Sequence, residues 1–330
     1  MPLCMESDYY IKTTYEGFTL VELYNSYLTD LSPKDKPWDK HRATADLVED
    51  IYRDSIYPKY ADRIEKCSKL LDFGLVKAEN DEQRFKLLAA RFCRVRHCPT
   101  CQWRRSLKWT ARLFQALPEI IKEYPTHRWV FLTLTVKNCD LVDLKATIAT
   151  MTKAFVRLSK LKEFPGVGWI KSLEITRNPE TGKAHPHFHC LILVPSAYFS
   201  GNYYIKAARW RELWQQCLRS DYLPVVNIKA VKGKSLDQDG LAVAICETLK
   251  YSVKEEHLVA DADWLVELTR QLHKTRAVSV GGCLRNLLKE ESDDDDLINI
   301  EDSSESKETV ADLILSFGWR ETIKRYTLND

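Results

Sequence analysis

The chain has no uninterrupted apolar stretch of the length, about 18 residues, that a membrane-spanning helix requires. A bilayer span is therefore not expected. The opening residues, Met1-Pro2-Leu3-Cys4-Met5-Glu6, lack the basic-then-apolar pattern of an export signal, which points to a cytoplasmic protein. In that compartment the ten cysteines stand as reduced thiols or metal ligands, not as a disulfide framework. A phosphate loop is also missing. Lys232-Gly233-Lys234-Ser235 has no upstream glycine, because position 228 is Ile, and it does not open a helix directly. No His-x-x-x-His pair falls on a helix, which argues against a mononuclear zinc hydrolase.

The near-absence of net charge, +2 over 330 residues, conceals two opposed blocks. Arg84 to Arg112 holds nine Lys/Arg and no acid, whereas Glu290 to Ser306 holds nine acids and no base. Without the acidic block the chain is clearly basic, as a nucleic-acid binder is expected to be. The acidic block itself reads as a disordered linker.

Within the basic block lies Cys93-Arg94-Val95-Arg96-His97-Cys98-Pro99-Thr100-Cys101, with Cys67 upstream. Four ligands at this spacing, two of them on a tight Cys98-Pro99-Thr100-Cys101 turn, suit a structural zinc ion. His97 competes with Cys67 for the fourth position. Four separate small buried hydrophobes are the plainer alternative. Gln102-Trp103-Arg104-Arg105-Ser106-Leu107-Lys108-Trp109 follows, and basic residues interleaved with indoles suit phosphates and stacked bases. Arg94, Arg96, Arg104, Arg105 and Lys108 are the candidate DNA contacts. The alternative is a helix with two core tryptophans and a solvated basic face.

Periodicity places the remaining elements. Thr44 to Tyr60 reads as a helix with Leu47, Val48 and Ile51 on one side. Arg128 to Lys137 alternates as a strand, with Phe131, Thr133 and Thr135 on one face. Leu141, Leu144, Ile148, Met151, Phe155 and Leu158 recur at helical spacing, with Asp140 as the expected N-cap. Trp169 to Thr176 and the stretch from His185 to Val194 form a hairpin around the turn Arg177–Lys183. His187 and His189 are two apart on the second arm, so they share a face, roughly 7 Å apart along the strand. Two imidazoles so placed can grip a divalent ion. Glu174, near the end of the first arm, is within cross-strand reach and completes a two-His, one-carboxylate set, unless it is simply an exposed strand residue. A helix marked by Trp210, Leu213, Trp214, Cys217 and Leu218 and a strand from Leu223 to Val231 follow. At helical spacing Glu247, Tyr251 and Lys254 fall within about 60° of one another, opposite an inward face of Leu241, Ile245, Leu249 and Val253. From the helix alone this polar face is better explained as a solvated face with an i, i+4 contact.

In order, the cysteine cluster, the Phe131-Leu132-Thr133-Leu134-Thr135 strand, His185-Pro186-His187-Phe188-His189 and Glu247-x-x-x-Tyr251-x-x-Lys254 resemble one family. It is the rolling-circle plasmid replication initiators of the HUH endonuclease superfamily. The resemblance spans about Cys67 to Lys254. It implies an α+β fold of the RRM/ferredoxin-like kind: a five-stranded antiparallel sheet with the histidine strand central and flanking helices, plus a small zinc-binding element. It implies a tyrosine helix beside the sheet with Mg²⁺ or Mn²⁺ between, held by His187, His189 and Glu174. Tyr251 is then the nucleophile, Lys254 steadies the phosphoryl charge, and Glu247 matches the Glu that some members carry four residues before the Tyr. Positions 247 and 255 are both Glu, so this is the single-Tyr type.

The expected domains are an N-terminal extension (1–60), a Cys-rich zinc and DNA-binding element (61–115), a nicking domain (120–256), a helical extension (257–289), the acidic linker (290–307) and a C-terminal helix (308–330). The terminal helix, about Thr309 to Arg325, would dock through Leu313, Leu315, Phe317 and Trp319. The implied partners are plasmid origin DNA, single-stranded or extruded at the nick, and the host helicase and DNA polymerase. The rivals are an HUH transposase or relaxase, with nearly the same chemistry, and a non-catalytic zinc-dependent DNA-binding protein.

Overall fold

The computed structural model describes residues 26–77, 83–232, 239–250, 252–288, 297–298 and 313–329. Tyr251, most of the acidic block, the Gly233-Lys234-Ser235 loop and the first 25 residues lie outside that set. The chain divides into two compact units: Met1–Ala43, Lys66–Phe92 and Ser304–Asp330 in one, Thr44–Glu65 and Cys93–Ser303 in the other. Nine strands occur among the described residues: β1 (Leu70–Lys77), β2 (Gln83–Ala90), β3 (Arg128–Thr135), β4 (Gly168–Arg177), β5 (Ala184–Val194), β6 (Val226–Ala230), β7 (Val278–Gly282), β8 (Leu313–Arg320) and β9 (Arg325–Leu328). No described helix is long and apolar enough to cross a membrane.

The first unit is built on an antiparallel sheet in the order β2-β1-β8-β9. Here the expectation of a terminal helix is overturned, since the segment is the hairpin β8–β9. Leu315, Phe317 and Trp319 are buried while Ile314 and Arg320 are exposed, a period of two. Phe317 packs edge-on against Phe73, and the buried Tyr326 hydroxyl donates to the Ser68 carbonyl at 2.6 Å.

The second unit carries the antiparallel sheet β6-β3-β5-β4-β7, with the histidine strand β5 at its centre. This is the α+β architecture expected from the motifs. The last strand, β7, lies in the segment expected to be only helical. β5 is buried almost throughout, as its run of apolar residues requires. Pro186 sits in this central strand without breaking it. Its partner Ile175 donates its N–H to the Ser252 carbonyl at 2.8 Å, away from β5. The Ile175–Pro186 pair is therefore a non-hydrogen-bonded one, and the proline nitrogen points past the end of β3, whose pairing stops at His187.

Helices α1 (Pro99–Glu123), α2 (Leu144–Leu158), α3 (Ala207–Leu218) and α4 (Asp239–Leu249) cover the two faces, and α5 (Ala262–Gln271) packs on the 3-10 turn Leu141–Asp143. One face of β5 presents Leu191 and Leu193 to a core that includes Leu113 and Leu117 of α1 and Leu241, Ile245 and Leu249 of α4. The other face presents Phe188, which meets Phe155 of α2, and α2 packs in turn on α3. Asp140 caps only a short 3-10 turn over Leu141–Asp143, and α2 proper starts at Leu144. The single helix expected from Thr44 to Tyr60 is two, Pro37–Arg53 and Pro58–Glu65, parted before a proline that opens the second. Val48 and Tyr52 of the first turn inward and Leu47 outward.

Candidate active site

β5 lines up His185, His187 and His189 on the face that carries Leu191 and Leu193. The pairing register sets Glu174 of β4 directly across from His187, and Thr133 of β3 directly across from His189. The result is a knot of side chains, all nearly buried. Glu174 Oε2 lies 3.1 Å from His187 Nε2 and 2.6 Å from His189 Nε2. Glu174, His187 and His189 each offer one ligand atom, and these atoms lie within 4.8 Å of one another.

Hydrogen bonding decides what this knot can hold. His187 Nδ1 faces the His185 carbonyl at 3.2 Å, and a carbonyl only accepts, so Nδ1 carries the proton. In the neutral ring Nε2 is then a bare lone pair facing a carboxylate oxygen. Two acceptors at 3.1 Å repel unless a cation lies between them or the ring is itself protonated. Either way the site is arranged for positive charge, and the second-sphere bond to a carbonyl is the usual way a metal-binding imidazole is oriented. Thr133 Oγ1, 3.3 Å from His189 Nδ1, orients the second ring, and Phe131 stacks on it with centroids 5.4 Å apart. Burial alone would raise the Glu174 carboxyl. Where the imidazoles donate to it through protonated Nε2, the hydrogen bonds from His187, His189 and Lys250 outweigh burial and hold it well below the usual carboxylate range. Burial and the neighbouring His187 lower His185.

Lys250 is the residue that the motif reading missed. Its Nζ lies 3.0 Å from Glu174 Oε2 and 2.7 Å from Glu247 Oε1. Burial would lower its ammonium, but the two carboxylates raise it overall. The signal was present as a Lys three residues after Glu247, hidden by the assumption that the helix continues. In fact α4 ends at Leu249, so Glu247 and Lys254 do not share one helical face. Lys254 is a half-exposed N-cap, 3.8 Å from Glu256. The inward face holds as expected: Leu241, Ile245, Leu249 and Val253 are all buried. A parallel bridge between Val253 and Ile175, together with the Ile175 to Ser252 hydrogen bond, fastens the chain just after position 251 beside Glu174. Tyr251 itself lies outside the described residues.

A second group of metal-capable side chains is Cys93, Cys98 and Cys101, all buried, with ligand sulfurs within 4.8 Å of one another, and Cys67 is likewise buried. Cys93 and Cys101 sulfurs are 3.6 Å apart. Four thiolates at about 2.3 Å from one zinc ion would stand about 3.8 Å apart. The Val95 and Arg94 amides point at the Cys93 and Cys101 sulfurs at 3.4 and 3.3 Å, as orienting donors do. Cys98 is the N-cap of α1 with a proline following, a position that favours a thiolate. His97 stands outside this group. Burial, with Arg96 and Arg105 nearby, lowers its imidazole well below the usual value.

The candidate DNA contacts separate. Arg94 is exposed, Arg96, Arg105 and Lys108 are partly buried, and Arg104 is only 5% exposed. Arg104 gives its guanidinium to the Leu297 carbonyl at 2.7 and 3.0 Å and to Ile298 at 3.0 Å, the only part of the acidic region among the described residues. It is a structural residue and is not presented to solvent.

Comparison with known proteins shows the family. Residues 84–327 match the family model described as "Replication protein". "Protein rep" of Streptococcus pneumoniae serotype 2 (strain D39 / NCTC 7466) is 36% identical over 265 residues, covering 78% of this chain and 80% of the relative. "Protein rep" of Lactiplantibacillus plantarum is 34% identical over 84% of this chain and 90% of the relative. The Bacillus amyloliquefaciens "Protein rep" is 32% identical over 89% and 94%. No solved structure matches. The chain belongs to the replication protein family, and its motifs and its relatives agree on a plasmid replication initiator.

Proposed function

We propose that the chain starts rolling-circle replication by cutting one strand at the plasmid origin, as an HUH-type nuclease, and later rejoins it. The observation that carries this reading is Glu174 Oε2, shared by two strand-borne imidazoles and Lys250, with the chain beside position 251 tied to the same strand. His187, His189 and Glu174 are the residues that would hold Mg²⁺ or Mn²⁺. When bound, such an ion polarises and orients a phosphodiester.

In this reading the Tyr251 oxygen attacks the scissile phosphorus. The bond from phosphorus to the 3′ oxygen breaks, that oxygen takes up a proton as the 3′-OH, and the 5′ end remains as a phosphotyrosine. The 3′-OH then serves the host polymerase as primer while the host helicase opens the duplex. Attack of a 3′-OH on the phosphotyrosine reverses the step and reseals the strand. Lys250 replaces Lys254 as the cation beside the reacting phosphate, because it already sits at the carboxylate. Glu247, four residues before Tyr251 in the sequence and hydrogen-bonded to Lys250, is the base that would activate water for a terminating cut. The four cysteines would hold a structural zinc ion, and Arg94, Arg96, Arg105 and Lys108 supply the basic surface for the DNA backbone.

The test uses a labelled single strand from the cognate origin with Mn²⁺, read on a denaturing gel. One cut is expected at a single position, leaving a 3′-OH that a polymerase extends. The cut should be lost with EDTA and reduced at least a hundredfold in Glu174→Gln. Retardation of DNA with no cut, origin and metal verified, would contradict the reading and favour a zinc-dependent DNA-binding protein.

A further inference from the structure

Beside this site the second unit contains a cavity of about 920 Å³. Lys250 and Ser252, on either side of position 251, line it, so the site and the cavity share Lys250. Its wall also carries Arg63, Arg94, Arg105 and Lys274, and among the described residues no carboxylate lines it. Arg63, Arg94 and Lys274 are exposed and Arg105 is partly so.

Two observations separate this wall from an ordinary basic surface. The first is the lack of counter-charge. Elsewhere in the same unit arginines are ion-paired: Arg53 with Glu49, Arg177 with Asp261, Arg209 with Glu163 and Arg270 with Glu267. Arg63, Arg105 and Lys274 form no ion pair among the described residues. Arg63 and Arg105 instead donate to the Cys93 and Arg94 carbonyls, which anchors both at the wall without neutralising them. Burial and the charge of Arg105 lower the guanidinium of Arg96, which lines the same cavity, to about 10. The second observation is backbone conformation. Arg94 and Lys274 both stand in the left-handed region, at φ 57° and 59°. Glycine or asparagine takes that conformation at least cost. Here two long, exposed cations take it on one wall. An exposed side chain returns little packing for that cost, which points to a use outside the fold.

A concave wall of one sign concentrates potential and draws in the opposite charge. A cavity in the size range of small-ligand pockets admits one chain of phosphates and not a duplex. We propose that this cavity holds the phosphate backbone of the unpaired strand next to the cut, through Arg63, Arg94, Arg105 and Lys274, with Lys250 at the end nearest the reacting phosphate. The choice of DNA as ligand rests on the DNA-cutting reading above. Phosphates carry no sequence information, so this grip is indifferent to sequence and fixes the path of the strand only.

The experiment measures fluorescence anisotropy of a labelled oligo-dT decamer, and of an abasic decamer with the same phosphates, in EDTA so that no cut occurs, across about 50 to 200 mM salt. Each phosphate contact on a single strand contributes about 0.7 to the slope of log affinity against log salt. Lys274→Asn and Arg94→Asn remove the cation and suit the left-handed backbone, so both should melt no lower than wild type. Each is expected to reduce the slope by about 0.7, equally for the two strands. Arg105→Gln is the further variant should either fail to fold. Lys153→Gln, exposed on α2 across the sheet, should leave the slope unchanged. Wild-type slopes in the cavity variants, an equal fall in Lys153→Gln, or a loss confined to the base-bearing strand would overturn the assignment. The decamers carry no origin. The expected slopes in a protein that never cuts DNA would refute the cutting reading and leave the cavity assignment standing, and cutting with unchanged slopes would do the reverse.

Discussion

A single carboxylate oxygen that meets two imidazole nitrogens and an ammonium within 3.1 Å has more positive or proton-bearing neighbours than an ordinary strand carboxylate. In metal-free protein this makes acid stability depend on Glu174. Its carboxyl is held below the ordinary value of 4.5, so its contribution is complete above that pH and is lost as pH falls through the lower folded value. Thermal melts of Glu174→Gln should accordingly show a flatter acid limb than wild type. In the proposed metal site Lys250 would compete with the divalent ion for the same oxygen. Lys250→Met should therefore bind Mn²⁺ about tenfold more tightly in an EPR titration, equivalent to about 1.4 kcal/mol, and yet cut more slowly. Unchanged Mn²⁺ affinity would remove Lys250 from the site. Lys171, on the opposite face of β4, is a different case. Its Nζ sits 3.7 Å from the centre of the Phe188 ring, and burial pushes it from 10.5 down to about 8. Between those values the unfolded chain holds more protons, so stability should rise with pH by on the order of 2 kcal/mol across the window. Lys171→Met should abolish that rise, as denaturant melts at pH 8 and 10 would show.

At the level of the elements, much of the site was legible because strand parity is strict. A period of two put His187 and His189 on one face and Thr133 on the neighbouring strand's matching face, and the hairpin turn put Glu174 opposite. The same rule, left unused, read the C-terminus wrongly. Leu313, Leu315, Phe317 and Trp319 alternate by two and belong to a strand, not a helix. What could not be read was where α4 stops. Helix ends depend on tertiary partners, and here the Ile175 to Ser252 hydrogen bond and the Val253 bridge draw the chain onto β4 just after Leu249. That ending, and not helical spacing, brings Lys250 to Glu174 and leaves Lys254 outside. The sheet's far face sets its stability: Phe188, 1% exposed, packs against Phe155. Phe188→Ala should cost about 3–5 kcal/mol in chemical denaturation.

For the whole molecule, the near-neutral charge is a sum of opposite blocks, one of which contains the cysteine cluster and the basic start of α1. Metal analysis should find about one zinc per chain, and Cys98→Ser should lose it together with most thermal stability while the EDTA-sensitive Mn²⁺ site is assayed separately. The central claim is chemical: Tyr251 carries the cut strand. The most direct test is to trap the protein on a 3′-labelled single strand that spans the nick site of its own origin with Mn²⁺, digest with protease and locate the nucleotide-bearing peptide by mass spectrometry. The account requires a covalent adduct on the peptide containing Tyr251, absent in Tyr251→Phe and in EDTA. A cut product with no protein-linked DNA, or an adduct at any other residue, would contradict it.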